Sequence, residues 1–182
     1  MQYYKVEQSD TVSQIKKNIE WGYHTAFNVI VETPVVFVHR AKQIDIEACN
    51  AMNYEVYEAY YNGGTIVGNK GDMAFAHFGE IENEWYKKFV EHFVNWLKEK
   101  GLNATYESND ILVDGYKVCG VCVTRYGCID YTAGFIGVNT NLDHIKAICK
   151  KPMVKVPKGL SEYGITTEDV EKCFLDFCKN WN

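Results

Sequence analysis

NDILVDGYKVCG, Asn109 to Gly120, is the stretch from which the fold can be read. At its centre Val113-Asp114-Gly115-Tyr116 carries a two-residue Asp-Gly loop of the kind that favours a type I′ turn. Two strands must then fold back on each other, with Val113 opposite Tyr116 and Leu112 opposite Lys117. Counting outward places Ile111 opposite Val118 and Asp110 opposite Cys119. Asp110, Leu112, Lys117 and Cys119 are expected on one face, and Ile111, Val113, Tyr116 and Val118 on the other. The second set is apolar or aromatic throughout, so it should bury against helices and leave the first set over a pocket. Asp110 and Lys117 become diagonal neighbours, roughly 7 Å apart at Cβ, near enough to contact one ligand group. If Gly120 adds no bulge, Arg125 falls on that face too. From spacing alone a partly exposed Lys-Asp pair that contributes little is the commoner reading.

The composition sets bounds on this hairpin's surroundings. A chain of 182 residues with 47% hydrophobic content can bury a sizeable core, and residues 1–182 are expected to form a single domain. No apolar run approaches the ~20 residues that span a bilayer, and the N-terminus lacks an apolar core behind a basic head. A cytoplasmic protein without a membrane partner is expected. Its seven cysteines, an odd number, read as reduced thiols. The net charge of −5 argues against nucleic acid as a partner, and the thirteen tyrosines read as sheet packing and pocket walls.

Along the chain, Ile15, Ile19, Tyr23 and Phe27 recur at helical spacing and predict a helix within residues 13–31. VVFVH, from Val35 to His39, reads as a buried strand, and Glu55 to Tyr61 as a strand entering the glycine loop Asn62-Gly63-Gly64. TIVGNKGDMAFAHF offers two strand-like runs around GNKGD and is expected to form a second hairpin. Ile81, Trp85, Phe89, Phe93, Trp96 and Leu97 lie on one stripe and predict a helix over 81–100, with Gly101 as its stop. Strands are expected at Ala104 to Glu107, Asp110 to Val113, Tyr116 to Arg125 and Gly134 to Asn139. A helix capped by Asn141 is expected over Leu142 to Cys149, and a terminal one from Thr167 to Trp181 that buries Val170, Phe174 and Phe177. Short turns between most strands favour an antiparallel-rich α+β architecture over a doubly wound sheet.

On these residues the chain resembles the lipoate protein ligase family. NDILVDGYKVCG is similar to the family's ND…DG-K-(I/V)-(S/C)-G element. PVVFVHR (Pro34 to Arg40) resembles the strand before the pocket, and NGGTIVGNKGDMAF (Asn62 to Phe75) resembles the serine-and-glycine loop with its adjoining strand-turn-strand. AGFIGVN (Ala133 to Asn139) and KVPKGL (Lys155 to Leu160) fall in the same order, so the likeness runs over roughly residues 33–180. It implies mixed, antiparallel-rich sheets flanked by helices, as in biotin/lipoate protein ligase catalytic domains, which are class II aminoacyl-tRNA synthetase-like. The family's usual accessory C-terminal domain is not expected, since the sequence ends soon after the helix that normally closes the catalytic domain. It also implies an enzyme that activates lipoate or a medium-chain acid with ATP and transfers it to a lysine of an acceptor protein.

The resemblance carries roles residue by residue. Lys117 would contact acyl carboxyl and adenylate, Asp110 would help hold Mg²⁺, and Asn109 would donate to the nucleotide. Asn62, Gly63, Gly64, Thr65, Gly120 and Gly134 would line the substrate and nucleotide sites. The family's two arginines before the glycine loop correspond to Ala59 and Tyr60, its third loop glycine to Thr65, and its histidine before the later strand glycine to Ala133. Its histidine-aspartate pair becomes Asn69 and Lys70. Related octanoyl transferases use a cysteine thioester without ATP. Cys149 is the candidate here, close to the family's nucleophile position, where Lys151 stands. A non-catalytic acyl- or nucleotide-binding relative is the remaining alternative.

Cys119-Gly-Val-Cys122 is a C-x-x-C pair. In a regular strand its members point to opposite faces, and there is no second pair to complete a zinc site. No metal is expected there.

Overall fold

A computed structural model of the chain describes residues 2–5, 7–10, 13–15, 17–18, 25–38, 40–58, 64–80, 84–126 and 129–181. Its strands are β1 (Gln2–Lys5), β2 (Thr25–Ile30), β3 (Val35–Val38), β4 (Glu55–Glu58) and β5 (Ile66–Gly68). They continue with β6 (Met73–Glu80), β7 (Ala104–Glu107), β8 (Asp110–Val113), β9 (Tyr116–Tyr126) and β10 (Ile129–Ile136). The helices are α1 (Ile46–Ala51), α2 (Trp85–Glu99), α3 (Leu142–Ile148) and α4 (Thr167–Asn180). A seven-stranded sheet in the order β1-β2-β6-β10-β9-β8-β7 is antiparallel except at its β1–β2 edge. A three-stranded sheet has the order β4-β3-β5, with β3 parallel to β4 and antiparallel to β5.

Helices α2 and α4 cover one face of the large sheet. On α2 the buried residues Trp85, Phe89, Phe93 and Leu97 recur every four positions, so one stripe faces the sheet while Lys87, Lys88 and Glu91 stay exposed. Gly101 ends the helix at φ 84°, and the Leu102 N–H donates back to the Leu97 carbonyl, closing a Schellman motif. At the start of α4, Thr166 and Asp169 form a capping box. Phe75 of β6 sits at the middle of this layer, 4.6 Å from Phe89 and 5.5 Å from Phe174 by ring centroid. A Cβ at Gly134 would overlap the Phe75 ring, so glycine is what lets that ring lie flat on β10. Gly134→Ala is therefore expected to destabilise the fold by about 1–3 kcal/mol, read as a lowered urea midpoint at unchanged slope.

The other face of the large sheet packs on the small sheet through Phe27, Phe78 and Tyr131 against Val35 and Phe37. Strand β3 is covered on both sides: Val35 and Phe37 point to the large sheet, while Val36 and Val38 join Ile44, Cys49 and Ile148 in a cluster with α1 and α3. Its continuous apolar run is the result of that position.

Two expectations are corrected here. Residues 13–15 and 17–18 are helical, but Thr25–Ile30 is a strand paired with β1 and β6. Both faces of β2 are covered, so its apolar residues do not alternate, and Phe27 matched a helical spacing by coincidence. Ile19 and Tyr23 lie outside the described residues. GNKGD does not close a hairpin: β5 and β6 belong to different sheets, and the turn is a corner where the chain crosses between layers. Smaller differences concern ends. Strand β10 starts at Ile129, before Gly134, and stops at Ile136, while His39, residues 59–61 and residues 81–83 lie outside the described residues.

Asp72 explains both the corner and the end of β10. It is fully buried, and its Oδ2 accepts from the Asn69 N–H at 2.7 Å while Oδ1 accepts from the N–H groups of Val138 and Asn139, each at 2.7 Å. Those donors are thereby lost to the sheet ladder. Burial pushes the Asp72 carboxyl up to about 6 from an ordinary value of 3.8, although the backbone donors pull it down. A folded value above the unfolded one means that folding takes up a proton between them. The contribution is full below about pH 4 and falls by about 3 kcal/mol as pH rises through 6. Asp72→Asn is expected to flatten this slope between pH 4 and 7, as followed by urea unfolding. An unchanged slope would refute the assignment.

Candidate functional site

The turn between β8 and β9 has the conformation its residues demand, with Asp114 at φ 51° and Gly115 at φ 82°. Val113 pairs with Tyr116 and Leu112 with Lys117, as expected from the turn. The register then shifts: Ile111 faces Cys119 and Asp110 faces Gly120, leaving Val118 as the extra residue of a bulge. The expected pairs Ile111–Val118 and Asp110–Cys119 are therefore incorrect. Cys119 leaves the predicted face and enters the helix-side core with Ile111, Val113 and Val118, where burial pushes its thiol up. Gly120 takes its place beside Asp110 and Lys117.

That exchange brings the charged pair together. Lys117 Nζ lies 2.7 Å from Asp110 Oδ1, with side-chain exposures of 39% and 18%, so the pair is half-sheltered. A Cβ at Gly120 would stand 3.0 Å from Lys117 Nζ, and glycine lets the ammonium lie across the strand. Because the bulge shifts the alternation of β9, Arg125 lies on the opposite face from Lys117 and pairs with Asp130 of β10 at 3.2 Å. Cys119 and Cys122 do point to opposite faces, since only Cys122 reaches the sheet-to-sheet side with Ala133.

A cleft of about 580 Å³ opens from this pair between the two sheets. Its floor is set by cross-strand register. Cys122 of β9 faces Ala133 of β10, Ala133 faces Ala76 of β6, and Ala76 faces Phe27 of β2. Directly opposed residues share a face, so three small side chains form a trough across the strands, with Phe27 at its far end. Phe135 stands along one side and Tyr131, stacked on Phe78 at 4.9 Å, along the other. Neighbouring strands are about 4.8 Å apart, so the trough runs about 10 Å from Cys122 to Ala76.

The remaining expected site residues divide. Gly64 and Thr65 line the cleft, and Asn62 and Gly63 lie outside the described residues. Asn109, at φ 71° in the turn between β7 and β8, lines it too, with its Oδ1 accepting from Tyr86 and Tyr106. Gly134 borders the cleft through backbone only. Cys149 lines the cleft half-buried at the end of α3, and burial beside Cys49 pushes its thiol up.

Lys155 is a site residue that sequence reasoning missed. The Lys117 N–H donates to the Val156 carbonyl at 2.9 Å and the Lys117 carbonyl accepts from the Lys158 N–H at 3.0 Å, so residues 156–158 lie alongside β9 as a strap. From this strap Lys155 Nζ reaches to 3.5 Å from Asp110 Oδ2 and donates to the Glu107 carbonyl at 2.8 Å. Both oxygens of Asp110 thus face ammonium groups. Among the described residues no group of three His, Cys, Asp or Glu side chains could hold a metal. The donors fit Mg²⁺ only as an ion carried by substrate phosphates and met by one carboxylate.

The fold has counterparts among known proteins. The family model "Lipoyl protein ligase A/B catalytic domain" matches residues 15–174. A protein of Saccharomyces cerevisiae provisionally named lipoate-protein ligase A is 21% identical over 110 residues, 59% of this chain and 27% of that protein. The match thus spans about a quarter of the curated relative's length. The fold is similar to that of a Thermoplasma acidophilum protein provisionally assigned as a lipoate protein ligase, with bound lipoic acid (TM-score 0.82, 14% identity, 97% of this chain and 83% of that one). It is also similar to a bipartite lipoate protein ligase, described with its E2 lipoyl domain, from the same organism (TM-score 0.81, 15% identity, 97% and 81%). A lipoate-protein ligase A bound with ATP gives a TM-score of 0.80 at 14% identity, over 97% of this chain and 82% of that one. Since the family match takes in the lysine hairpin, the whole small sheet and every strand of the large one except β1, the chain belongs to the lipoyl protein ligase A/B catalytic domain family.

Proposed function

We propose that the protein activates lipoate or a related medium-chain acid with ATP and passes the acyl group to a lysine of an acceptor protein. The observation that carries this reading is the placement of Lys117: an ammonium at the mouth of a trough of small side chains, laid across a glycine that gives it room and paired with Asp110. A flexible apolar chain lies in the trough with its carboxyl at Lys117. A carboxylate oxygen attacks the α-phosphorus of ATP, pyrophosphate departs, and an acyl-adenylate remains. The amine of the acceptor lysine then attacks the acyl carbonyl and expels AMP.

Charge develops on carboxyl and phosphate oxygens in both steps. Lys117 donates to these oxygens, and Asp110 orients Lys117 through their ion pair. Backbone N–H groups near Gly64 and the amide of Asn109 supply neutral donors at the rim. Mg²⁺ borne by the phosphates would offset their charge, with Asp110 as its one protein carboxylate. The bound lipoic acid, ATP and lipoyl domain named for the similar structures support this substrate set. A thioester route through Cys149 has less in its favour, because burial pushes that thiol away from the thiolate form a nucleophile needs.

The test is ATP–pyrophosphate exchange with lipoate, octanoate and biotin, followed by mass measurement of a lipoyl domain after incubation. Exchange with lipoate or octanoate and one added acyl group on the domain are expected. No exchange with any of the acids would sink the adenylating reading.

A further inference from the structure

We infer that Lys155 is a phosphate-binding residue, the second cation that turns the Lys117–Asp110 pair from a neutral unit into an electropositive one. The inference rests on the adenylating reading for the identity of its ligand, an ATP phosphate, but not for its geometry.

An ammonium 2.7 Å from a carboxylate is a formed ion pair, and Lys117 with Asp110 alone brings no net charge to the cleft mouth. An anion with several charges would gain little from approaching it. Lys155 changes the balance, since its Nζ faces the other oxygen of the same carboxylate at 3.5 Å. The three side chains then sum to one positive charge. The other nearby carboxylate is Glu107, whose Oε2 is 4.0 Å from Lys155 Nζ but whose side chain is 61% exposed, so water screens most of its effect.

Lys155 is also held in place more firmly than a surface lysine. Its side chain is only 20% exposed, its ammonium is tied to the Glu107 carbonyl at 2.8 Å, and the next residues of the strap bond the backbone of Lys117 on both its N–H and C=O. The two ammonium groups therefore converge on one carboxylate from separate segments whose backbones are joined. Asp110 acts as the resident anion, and a phosphate arriving at the cleft shares the two ammonium groups with it. Lys155 lines the cleft together with Lys117, which such sharing requires. In chemical terms the site fits a phosphate next to an acyl carboxyl, with Lys117 between the two and Lys155 on the phosphate side.

The experiment compares wild type with Lys155→Met and Lys155→Arg, measuring ATP and octanoate binding by calorimetry, pyrophosphate exchange, and thermal unfolding. Lys155→Met is expected to weaken ATP binding by about tenfold or more, as the loss of a charged hydrogen bond would, with octanoate affinity within about twofold of wild type. Lys155→Arg is expected to restore most of the ATP affinity. A strap that is merely structural would lower both affinities together with the unfolding temperature, and Lys155→Arg would not separate them; that pattern overturns the inference. So does ATP affinity that is unchanged in Lys155→Met, or absent in wild type. Wild type that binds ATP with the expected dependence on Lys155, yet exchanges pyrophosphate with no acid, would defeat the proposed reaction and leave the role of Lys155 standing.

Discussion

Lys117→Met is expected to lower the rate of acid-dependent pyrophosphate exchange by about 10²–10³ at saturating ATP and octanoate, the usual consequence of removing one charge-stabilising donor from an active site. The methionine keeps the length and apolar body of the side chain, so the trough and the β8–β9 hairpin should persist. Stability should change little. The ion pair is half-exposed, pairs of that kind contribute about 0–1 kcal/mol, and Asp110 retains Lys155 as a partner when Lys117 is lost. A loss of rate with an unfolding temperature within a few degrees of wild type therefore separates a chemical role from a structural one. Exchange within about fivefold of wild type would remove Lys117 from the mechanism and with it the main support for the proposed function.

The part of the site legible in the sequence is local. Asp114-Gly115 requires positive φ at both positions, and that turn alone pairs Leu112 with Lys117 and sends Asp110 and Lys117 to one side. The bulge at Val118 is not legible in the same way. Val118 and Cys119 are both apolar and both end in the helix-side core, so either register buries a hydrophobic residue, and tertiary packing decides. GNKGD shows the same limit. Its glycine turn between two apolar runs is compatible with a hairpin, whereas the sheet each strand joins depends on β6 finding β2 and β10. Strand β2 lost its alternation by being covered on both faces. Lys155 was hidden for a further reason: what makes it part of the site is the pairing of Pro157 with Lys117, between segments distant in sequence. Helices α2, α3 and α4 were read more fully, because the stripe from Trp85 to Leu97, the cap at Asn141 and the apolar positions Val170, Phe174 and Phe177 are signals contained within each element, whereas the six-residue α1 is too short to show a period and went unread. The resemblance to a known family supplied the ligand that no spacing could.

Ala133→Leu should change which acids are used. Ala133 is the middle member of the row Cys122–Ala133–Ala76, the one small residue with cross-strand neighbours in the row on both sides. A leucine there places its branched end in the trough between Phe135 and Tyr131, about one strand spacing beyond Cys122, and leaves the Lys117 end untouched. At carbon–carbon bond lengths near 1.5 Å, the free trough of about 10 Å accepts a chain of about eight carbons, and the blocked one accepts about half of that. An octanoyl chain would then hold about four methylenes in water, at about 0.8 kcal/mol each, or about 3 kcal/mol in all. Octanoate and lipoate are expected to lose about two orders of magnitude in kcat/KM, while butanoate, whose chain ends before the obstruction, should keep the efficiency it has with wild type. Because the new side chain enters an open cleft and not the packed layer under α2, the cost in stability should stay below about 1.5 kcal/mol. The crossover between long and short acids is the decisive result, since a damaged fold would depress both alike. Octanoate and butanoate affected to the same degree would mean that the acyl chain does not run along this row, and the cleft would then need another occupant.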